Sequence, residues 1–310
     1  MGCIQLIPFS WIEKSAPFLL SCSLILLWLL FVPGVYKKVG GAARWLQVAG
    51  ISFQPVEIAK LSFILFLAKT LRDRSTTEYP FQTLSFILFP LTAIALPLML
   101  QPDFGNCAIL VATTFLFIFI SGISQKLLAY ASGSILLFGG AAVLSSPYRL
   151  KRVLVYLNPW EHFQEGGFQI IQSYLGFQNG GLLGLGLGES RQKLFFLPEA
   201  HNDFILSVIG EESGFFGFLL ICLFFIQIIY CGFSIMLQQD DLFKKYLAFG
   251  LTTAFAIQST FNFFVVTGLL PTKGISLPLI SSGVSSLLFS ILTVAILLRI
   301  SREKQEPYVA

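Results

Sequence analysis

The sequence predicts an all-α polytopic membrane protein. Of its 310 residues, 55% are hydrophobic and only 12% are charged, with a mean hydropathy of +0.79, whereas soluble domains carry roughly 25% charged residues. Eight segments are long and apolar enough, or nearly so, to cross a bilayer, which takes about 20 residues per helix. The predicted spans are 16–33, 53–70, 83–100, 104–122, 127–146, 206–236, 246–268 and 277–299.

The remaining composition excludes several other classes of protein. No basic run interleaves with aromatic residues on a polar surface, so the net charge of +4 does not indicate nucleic-acid binding. The five cysteines lie in or beside apolar runs without metal-ligand spacing, so neither a disulfide framework nor a zinc site is expected. The N-terminus lacks the features of a signal peptide, and the first apolar run is therefore predicted to be a spanning helix.

The whole chain, 1–310, is predicted to be a single membrane domain in which 147–203 forms one large loop. This long polar segment contains both histidines, His162 and His201, and five of the basic residues. Its amphipathic stretch FQIIQSYLGF and its glycine-rich stretch GGLLGLGLG predict short helices and tight turns at the membrane surface. No strand precedes the glycines, so they do not indicate a nucleotide-binding fingerprint.

An even number of spans places both termini on one side of the membrane. The links on that side hold ten basic residues, and the short links on the other side hold four. Because long loops count for less in the positive-inside rule, both termini are predicted to be cytoplasmic and the large loop extracytoplasmic. The ten are Lys14, Lys69, Arg72, Arg74, Lys126, Lys244, Lys245, Arg299, Arg302 and Lys304. The four are Lys37, Lys38, Arg44 and Lys273.

Charged side chains inside the predicted spans call for a partner or a function, because each costs about 2.5–3.5 kcal/mol at a helix centre on insertion scales. Glu57 and Lys60 are three residues apart and share one helical face. They form either an internal ion pair that orients the helix or part of a hydrated cavity where Lys60 meets an anionic substrate group. Asp103, in the hairpin tip QPDFG, is placed to cap a helix.

Asp203 is predicted to open the helix DFILSVIGEESGFFGF. The helix dipole and the unpaired N–H groups of a first turn favour a carboxylate there, which is a sufficient structural explanation. The alternative is that Asp203 is the reactive centre, since Glu199 and His201 add polar groups at a membrane mouth and an accessible carboxylate can act as a general base. Of Glu211 and Glu212, one is expected to form hydrogen bonds inside the bundle.

Eight strings of residues occur in the order of a known family. They are GAARW (41–45), FQPVEIAKL (53–61), QPDFG (101–105), YRLKRVLVYLNPW (148–160), GGFQIIQS (166–173), LGLGESRQKLFFLPEAHNDFI (185–205), GEESGFFG (210–217) and GLLPTKGISLPLISSG (268–283). Together they resemble the SEDS family (shape, elongation, division and sporulation), the membrane proteins that include FtsW, RodA and SpoVE. The strings NPW, LPEAH and LLPTKG resemble the division-associated FtsW branch more than RodA.

The chain departs from the family pattern in three places. The family usually has ten spans, so the chain is expected to be an N-terminally shortened member. It has HND at 201–203 where the family commonly has HTD, and SSGVSS at 281–286 where the family commonly has SYGGSS.

The resemblance implies a peptidoglycan glycosyltransferase that polymerises lipid II at the outer face of the cytoplasmic membrane during cell division. It implies a catalytic role for Asp203, as general base, and a class B penicillin-binding protein transpeptidase and other divisome membrane proteins as partners. A divalent cation, Mg or Mn, is compatible with the pyrophosphate leaving group, and no organic cofactor is expected. The positions of eight residues within the motifs suggest that they bind substrate, although each could equally make a structural contact. They are Arg44, Glu57, Lys60, Gln172, Lys193, Glu199, His201 and Lys273.

Two functions of other classes stay open. A lipid II flippase would also use a membrane bundle that carries Glu57 and Lys60 inside. A non-catalytic division scaffold would leave those charges and the polar loop unexplained. The large loop that ends in a carboxylate favours polymerisation, because transport across the bilayer does not require it.

Overall fold

The computed structural model describes residues 7–39, 42–48, 51–74, 80–144, 147–193, 197–198 and 200–305. Every predicted span overlaps an α-helix. These helices are α1 (Phe9–Leu29), α2 (Pro55–Asp73), α3 (Pro80–Leu100), α4 (Phe104–Ile120), α5 (Gln125–Leu144), α8 (Ile205–Leu237), α9 (Leu242–Val266) and α10 (Val284–Gln305). The large loop adds α6 (Pro147–Leu157), a 3₁₀ turn (Phe163–Glu165) and α7 (Gly167–Gly180), which confirms the predicted short helices.

Several of these helices are long and apolar enough to cross a membrane. In the described part of the chain five meet that description, namely α1, α3, α8, α9 and α10, and α4 is a shorter apolar helix. Helix α2 carries five charged residues, Glu57, Lys60, Lys69, Arg72 and Asp73. The architecture is that of a multi-pass membrane protein, as the composition predicts.

The largest shifts in span boundaries are at the two ends of the chain. Helix α1 begins at Phe9 rather than at residue 16, and it tolerates Glu13 because that carboxylate pairs with Arg72 of α2. Helix α10 begins at Val284 rather than at residue 277, because residues 267–283 form an irregular loop in which Leu279 has a positive φ of 66°. The predicted start of the last span was therefore wrong by two turns of helix.

A three-stranded antiparallel sheet occupies the link after α1, where the sequence predicts only a short polar connection. Its strands are β1 (Tyr36–Val39), β2 (Ala42–Val48) and β3 (Ile51–Phe53), in that order across the sheet. Strands of three to seven residues are too short for alternating hydrophobicity to stand out in the sequence. On the central strand, Leu46 is buried and Arg44 is half-buried.

The chain divides into two compact units, one made of residues 1–128, 229–257 and 284–310, the other of residues 129–228 and 258–283. The core of the first unit is apolar and continuous, and α1 packs closely on α2 within it. At that contact the Ser62 hydroxyl donates a hydrogen bond to Ser23 Oγ at 3.0 Å, with both side chains buried. Small residues allow helices in membranes to approach closely, which explains this packing.

The second unit is built around α7, the first half of α8 and the end of α9. The Ser173 hydroxyl of α7 donates to the carbonyl of Val266 at 2.6 Å and forms a hydrogen bond with Ser207 of α8. Phe225 and Phe263 meet edge to face, with ring centroids 5.5 Å apart. This packing fixes the start of α8, and with it the turn that carries Asp203.

Candidate functional site

Asp203 lies in a turn, 201–204, immediately before α8. The helix begins at Ile205, two residues later than the sequence predicts, so Asp203 precedes the helix rather than opening it. Its neighbour Phe204 is only 2% exposed and anchors the turn in the core of the second unit. Asp203 itself is half-buried, and His201 in the same turn is exposed.

Asn262 of α9 ties this turn to the irregular loop 267–283. Its Nδ2 donates hydrogen bonds to two backbone carbonyls, that of Asp203 at 2.8 Å and that of Ile275 at 2.7 Å. The side chain is 1% exposed. A single buried amide therefore fixes the distance between the Asp203 turn and the loop.

Two consecutive serines form a second connection between the loop and the turn. The Ser281 hydroxyl accepts a hydrogen bond from the Leu277 N–H at 2.7 Å and donates one to the Asn202 carbonyl at 2.6 Å. The Ser282 N–H donates to the His201 carbonyl at 3.1 Å, and its hydroxyl donates to Asn202 Oδ1 at 2.6 Å. Asn202 and Ser282, two of the positions at which the chain departs from the family pattern, thus contact each other.

Gly274 lies directly against the Asp203 carboxylate. A Cβ placed on this glycine would lie 2.9 Å from Asp203 Oδ2, closer than side chains normally approach. Any larger residue would therefore push the loop away from the carboxylate. Lys273, the residue before this glycine, is half-buried in the same loop.

Helix α6 holds the other end of this loop. Arg152 donates from Nη1 to the Thr272 carbonyl at 2.8 Å, and the Tyr156 hydroxyl donates to the Leu269 carbonyl at 3.0 Å.

Burial, with a smaller contribution from Tyr156, raises the pKa of Tyr174 on α7, so the Tyr174 hydroxyl is protonated at neutral pH. Gln172, the other predicted residue on α7, is half-buried.

Glu211 is fully buried and accepts several hydrogen bonds from the large loop. Its donors are Asn179 Nδ2 at 3.3 Å, the Gln192 N–H at 3.1 Å and the Ser190 hydroxyl. This confirms that one of the two adjacent glutamates forms internal hydrogen bonds. The other, Glu212, forms an ion pair with Lys193 at 3.0 Å.

The first unit contains the three other predicted basic or acidic candidates. Glu57 and Lys60 form a buried ion pair at 2.9 Å, at 5% and 7% exposure, which confirms their predicted shared face. Arg44 donates from Nε and Nη2 to the carbonyls of Gln101 and Pro102, at 3.2 and 2.9 Å. It thereby binds the C-terminal end of α3, where a positive charge is favourable.

Asp103 caps α4, as the sequence predicts. Its carboxylate accepts a hydrogen bond from the Asn106 N–H at 3.4 Å and another from Asn106 Nδ2 at 2.9 Å. It is buried.

The structure brings Asp203, His201 and Lys273 into one network of turn and loop, and it places Lys193 in the same unit, paired with Glu212. Glu199 lies outside the described residues. Sequence reasoning missed Asn262, Arg152 and the two serines. Asn262 could have been predicted from the sequence, because a lone amide within the apolar run FNFFVV is costly in a membrane helix unless it has a partner.

These features define a multi-pass membrane protein with a polar assembly of short helices, turns and loop at the start of one spanning helix. The chain belongs to the FtsW, RodA and SpoVE family, since the family model described as "Cell cycle protein" matches residues 1–306.

Several relatives share most of their length with this chain. A probable peptidoglycan glycosyltransferase FtsW of Geobacter metallireducens is 44% identical over 296 residues, which cover 94% of this chain and 78% of the relative. The stage V sporulation protein E of Bacillus subtilis is 40% identical over 297 residues, which cover 95% of this chain and 80% of the relative.

Solved structures agree with the fold. One, described as "Structural coordination of polymerization and crosslinking by a peptidoglycan synthase complex", superposes with a TM-score of 0.82 at 25% identity, covering 99% of this chain and 86% of its own. The rod-shape-determining protein RodA of Thermus thermophilus gives a TM-score of 0.71 at 24% identity, covering 99% and 84%. The predicted family and helical membrane fold are confirmed.

Replacing Asn262 by Leu should destabilise the protein. The change leaves the carbonyls of Asp203 and Ile275 without their shared donor, at about 1–3 kcal/mol for each buried group left unsatisfied. Thermal unfolding in detergent measures the effect. Thr253→Val is the matched control on the same helix, because its buried hydroxyl has no hydrogen-bond partner among the described residues. Equal melting temperatures for Asn262→Leu and the control would contradict the bridging role.

Replacing Lys60 by Met should destabilise the protein more than the double change Lys60→Met with Glu57→Gln. The single variant leaves a buried carboxylate unpaired, at a cost of about 3–5 kcal/mol. The double variant removes both charges, so part of the loss in melting temperature should return. Lys69→Met, a half-buried lysine of the same helix for which the described residues show no ion pair, is the control. A double variant no more stable than the single one would exclude coupling.

Proposed function

We propose that the protein is a peptidoglycan glycosyltransferase that polymerises lipid II during cell division. The main support for this proposal is the position of Asp203 in a turn that other parts of the protein hold in place. Its carboxylate lies against Gly274, and hydrogen bonds from Asn262 and Ser281 fix the backbone around it. A half-buried carboxylate that is rigidly held and still accessible is suited to accept a proton from a bound hydroxyl. The relatives named as probable peptidoglycan glycosyltransferases support the reaction class.

In the proposed reaction, the 4-hydroxyl of the acceptor's GlcNAc attacks C1 of the donor's MurNAc. The new C–O bond forms as the bond from C1 to the pyrophosphate breaks, and undecaprenyl pyrophosphate leaves with the bonding electrons. Asp203 takes the hydroxyl proton, a role typically worth about 10²–10⁴-fold in rate. The serines and Asn262 act through the backbone and keep this carboxylate in place.

Negative charge develops on the departing pyrophosphate, so a cation should lie next to it. Lys273 is the basic residue we favour, because it adjoins Gly274 and hence the Asp203 carboxylate. Lys60, Lys193 and Arg44 each have a protein partner, in Glu57, Glu212 and two carbonyls of the hairpin respectively. These three could contact substrate by exchanging or sharing that partner, and Lys273 is favoured for its position beside Gly274 alone. Gln172, His201 and Glu199 remain candidates for contacts with the sugars.

A divalent cation, Mg or Mn, is proposed to accompany the pyrophosphate, without any organic cofactor. Among the described residues, no three His, Cys, Asp or Glu side chains lie close enough together to hold a metal ion. We therefore do not propose a site made of protein ligands alone. Magnesium at phosphate sites is commonly held by one or two carboxylates together with phosphate oxygens of the substrate. Because Asp203 is assigned as the base, the phosphate oxygens of the substrate would be the main ligands of such a cation. Such a cation would supply charge neutralisation at the leaving group.

The proposed partners are lipid II, a class B penicillin-binding protein transpeptidase and other divisome membrane proteins, with no role for nucleic acid. Support for the transpeptidase comes from the similar structure described as a peptidoglycan synthase complex that coordinates polymerization and crosslinking. In the membrane we propose cytoplasmic termini, with the large loop and Asp203 at the outer face, where linked disaccharides are joined.

Asp203→Asn should lower polymerisation of lipid II by at least about 100-fold, since an amide cannot serve as the base. The measurement is glycan-chain synthesis by purified protein, alone and with its cognate transpeptidase. Glu189→Gln is the control, because it removes an exposed carboxylate from the same large loop. Full synthesis by a folded Asp203→Asn variant would remove this residue from the mechanism. An inactive wild type that moves lipid II across liposome membranes would favour a flippase instead.

Cysteine labelling from the two sides of the membrane should detect Gln172→Cys outside and Asp240→Cys inside. The expectation follows from the bias of basic residues toward the terminus-side links. The experiment uses a membrane-impermeant maleimide on intact cells, in a background without the native cysteines. Labelling of Asp240→Cys but not Gln172→Cys in intact cells would reverse the orientation.

A further inference from the structure

The glycine-rich segment 181–188, called here the leucine loop, exposes all four of its leucines. Leu182 is 66% exposed, Leu183 81%, Leu185 46% and Leu187 88%. Burial of leucine side chains away from water is favourable, so this much exposed apolar surface in one short loop is costly in water. Contiguous patches of this kind mark surfaces that contact something apolar.

The backbone of the leucine loop is held by hydrogen bonds within the protein. The N–H groups of Leu185 and Gly186 donate to the carbonyls of Glu211 and Glu212, both at 3.0 Å, and the N–H of Gly184 donates to Gly180 at 2.7 Å. In return, the N–H groups of Phe215 and Phe216 donate to the carbonyls of Gly181 and Leu182, at 2.9 and 3.3 Å. The leucines are therefore presented by an ordered scaffold.

These bonds exist because α8 is kinked at Gly214, whose φ of 65° and ψ of −164° are not helical. The kink releases backbone groups that would otherwise bond along the helix, and the leucine loop takes them up. Gly184 makes the approach possible, since a Cβ at this position would overlap the Glu212 carbonyl. Irregular backbone enters the apolar part of a bilayer only where the protein itself satisfies its polar groups, and the hydrogen bonds above do so for five backbone groups of this loop.

The exposed leucines lie beside the exposed apolar surface of a spanning helix. After the kink, α8 exposes Phe215 and Phe216 and then Leu219, Leu220, Leu223 and Phe224. Only 11% of the most apolar stretch of this helix is buried within the protein. The apolar surface of the leucine loop thus continues into the surface that α8 exposes to lipid.

We propose that the leucine loop inserts its four leucines into the edge of the bilayer hydrocarbon and so anchors the large loop to the membrane. Glu189 and Arg191, which follow the loop and are exposed, then lie at the level of the polar headgroups. Lipid acyl chains are the occupant because the loop is continuous with the exposed apolar surface of a spanning helix, and hydrogen bonds within the protein hold it there. A protein partner on the same leucines is the competing occupant.

The test places a nitroxide spin label at Leu183→Cys or Leu187→Cys in the full chain, without its native cysteines. The protein is reconstituted in vesicles of phosphatidylethanolamine and phosphatidylglycerol. Both sites should collide more often with oxygen, which concentrates in hydrocarbon, than with a water-soluble nickel chelate. Glu189→Cys, two residues from Leu187, is the matched control and should show the opposite preference.

Two outcomes would overturn the proposal. If the leucine sites collide preferentially with the nickel chelate, the loop lies in water. If both collision rates are low, the leucines are covered by protein, and in vesicles that contain only this chain the cover is a second copy. Neither result depends on whether Asp203 is catalytic, because the measurement requires no turnover.

Discussion

Charged groups and amide N–H donors buried among apolar helices need partners within the protein, and this constraint shapes both units of the chain. Water is scarce in such surroundings, so an unpartnered charge or amide costs several kcal/mol. Glu57 is therefore paired with Lys60, Glu211 receives donors from three residues of the large loop, and Asn262 bridges two carbonyls. Each of these contacts satisfies a buried group, and those of Glu211 and Asn262 also fix a segment that lies outside the helices.

The Asp203 turn shows how the constraint serves function. It is held by an amide of α9, by two serines that precede α10 and by close contact with Gly274. The turn is fixed through its backbone, and this arrangement sets the position of the carboxylate for the proton transfer we propose.

The large loop is ordered in the same manner. Arg152 and Tyr156 donate hydrogen bonds to carbonyls of the loop 267–283. The segment that follows α7 bonds to the Glu211 carboxylate and to backbone groups of α8 that the kink at Gly214 leaves free. The loop is therefore a structured part of the second unit rather than a linker. Its exposed leucines are then best understood as a surface that meets the bilayer.

The sequence by itself determined the membrane class, the helices, the family and the positions worth testing, because hydropathy and rare intramembrane charges are local signals. It located the Glu57–Lys60 pair and the Asp103 cap, since both depend on spacing within one segment. The small sheet at 36–53, the late start of α10 and the contacts of Asn262, Ser281 and Gly274 with the Asp203 turn were decided only by the tertiary structure. These contacts join residues up to 79 positions apart, and no periodicity records which distant carbonyl a buried amide or hydroxyl will reach.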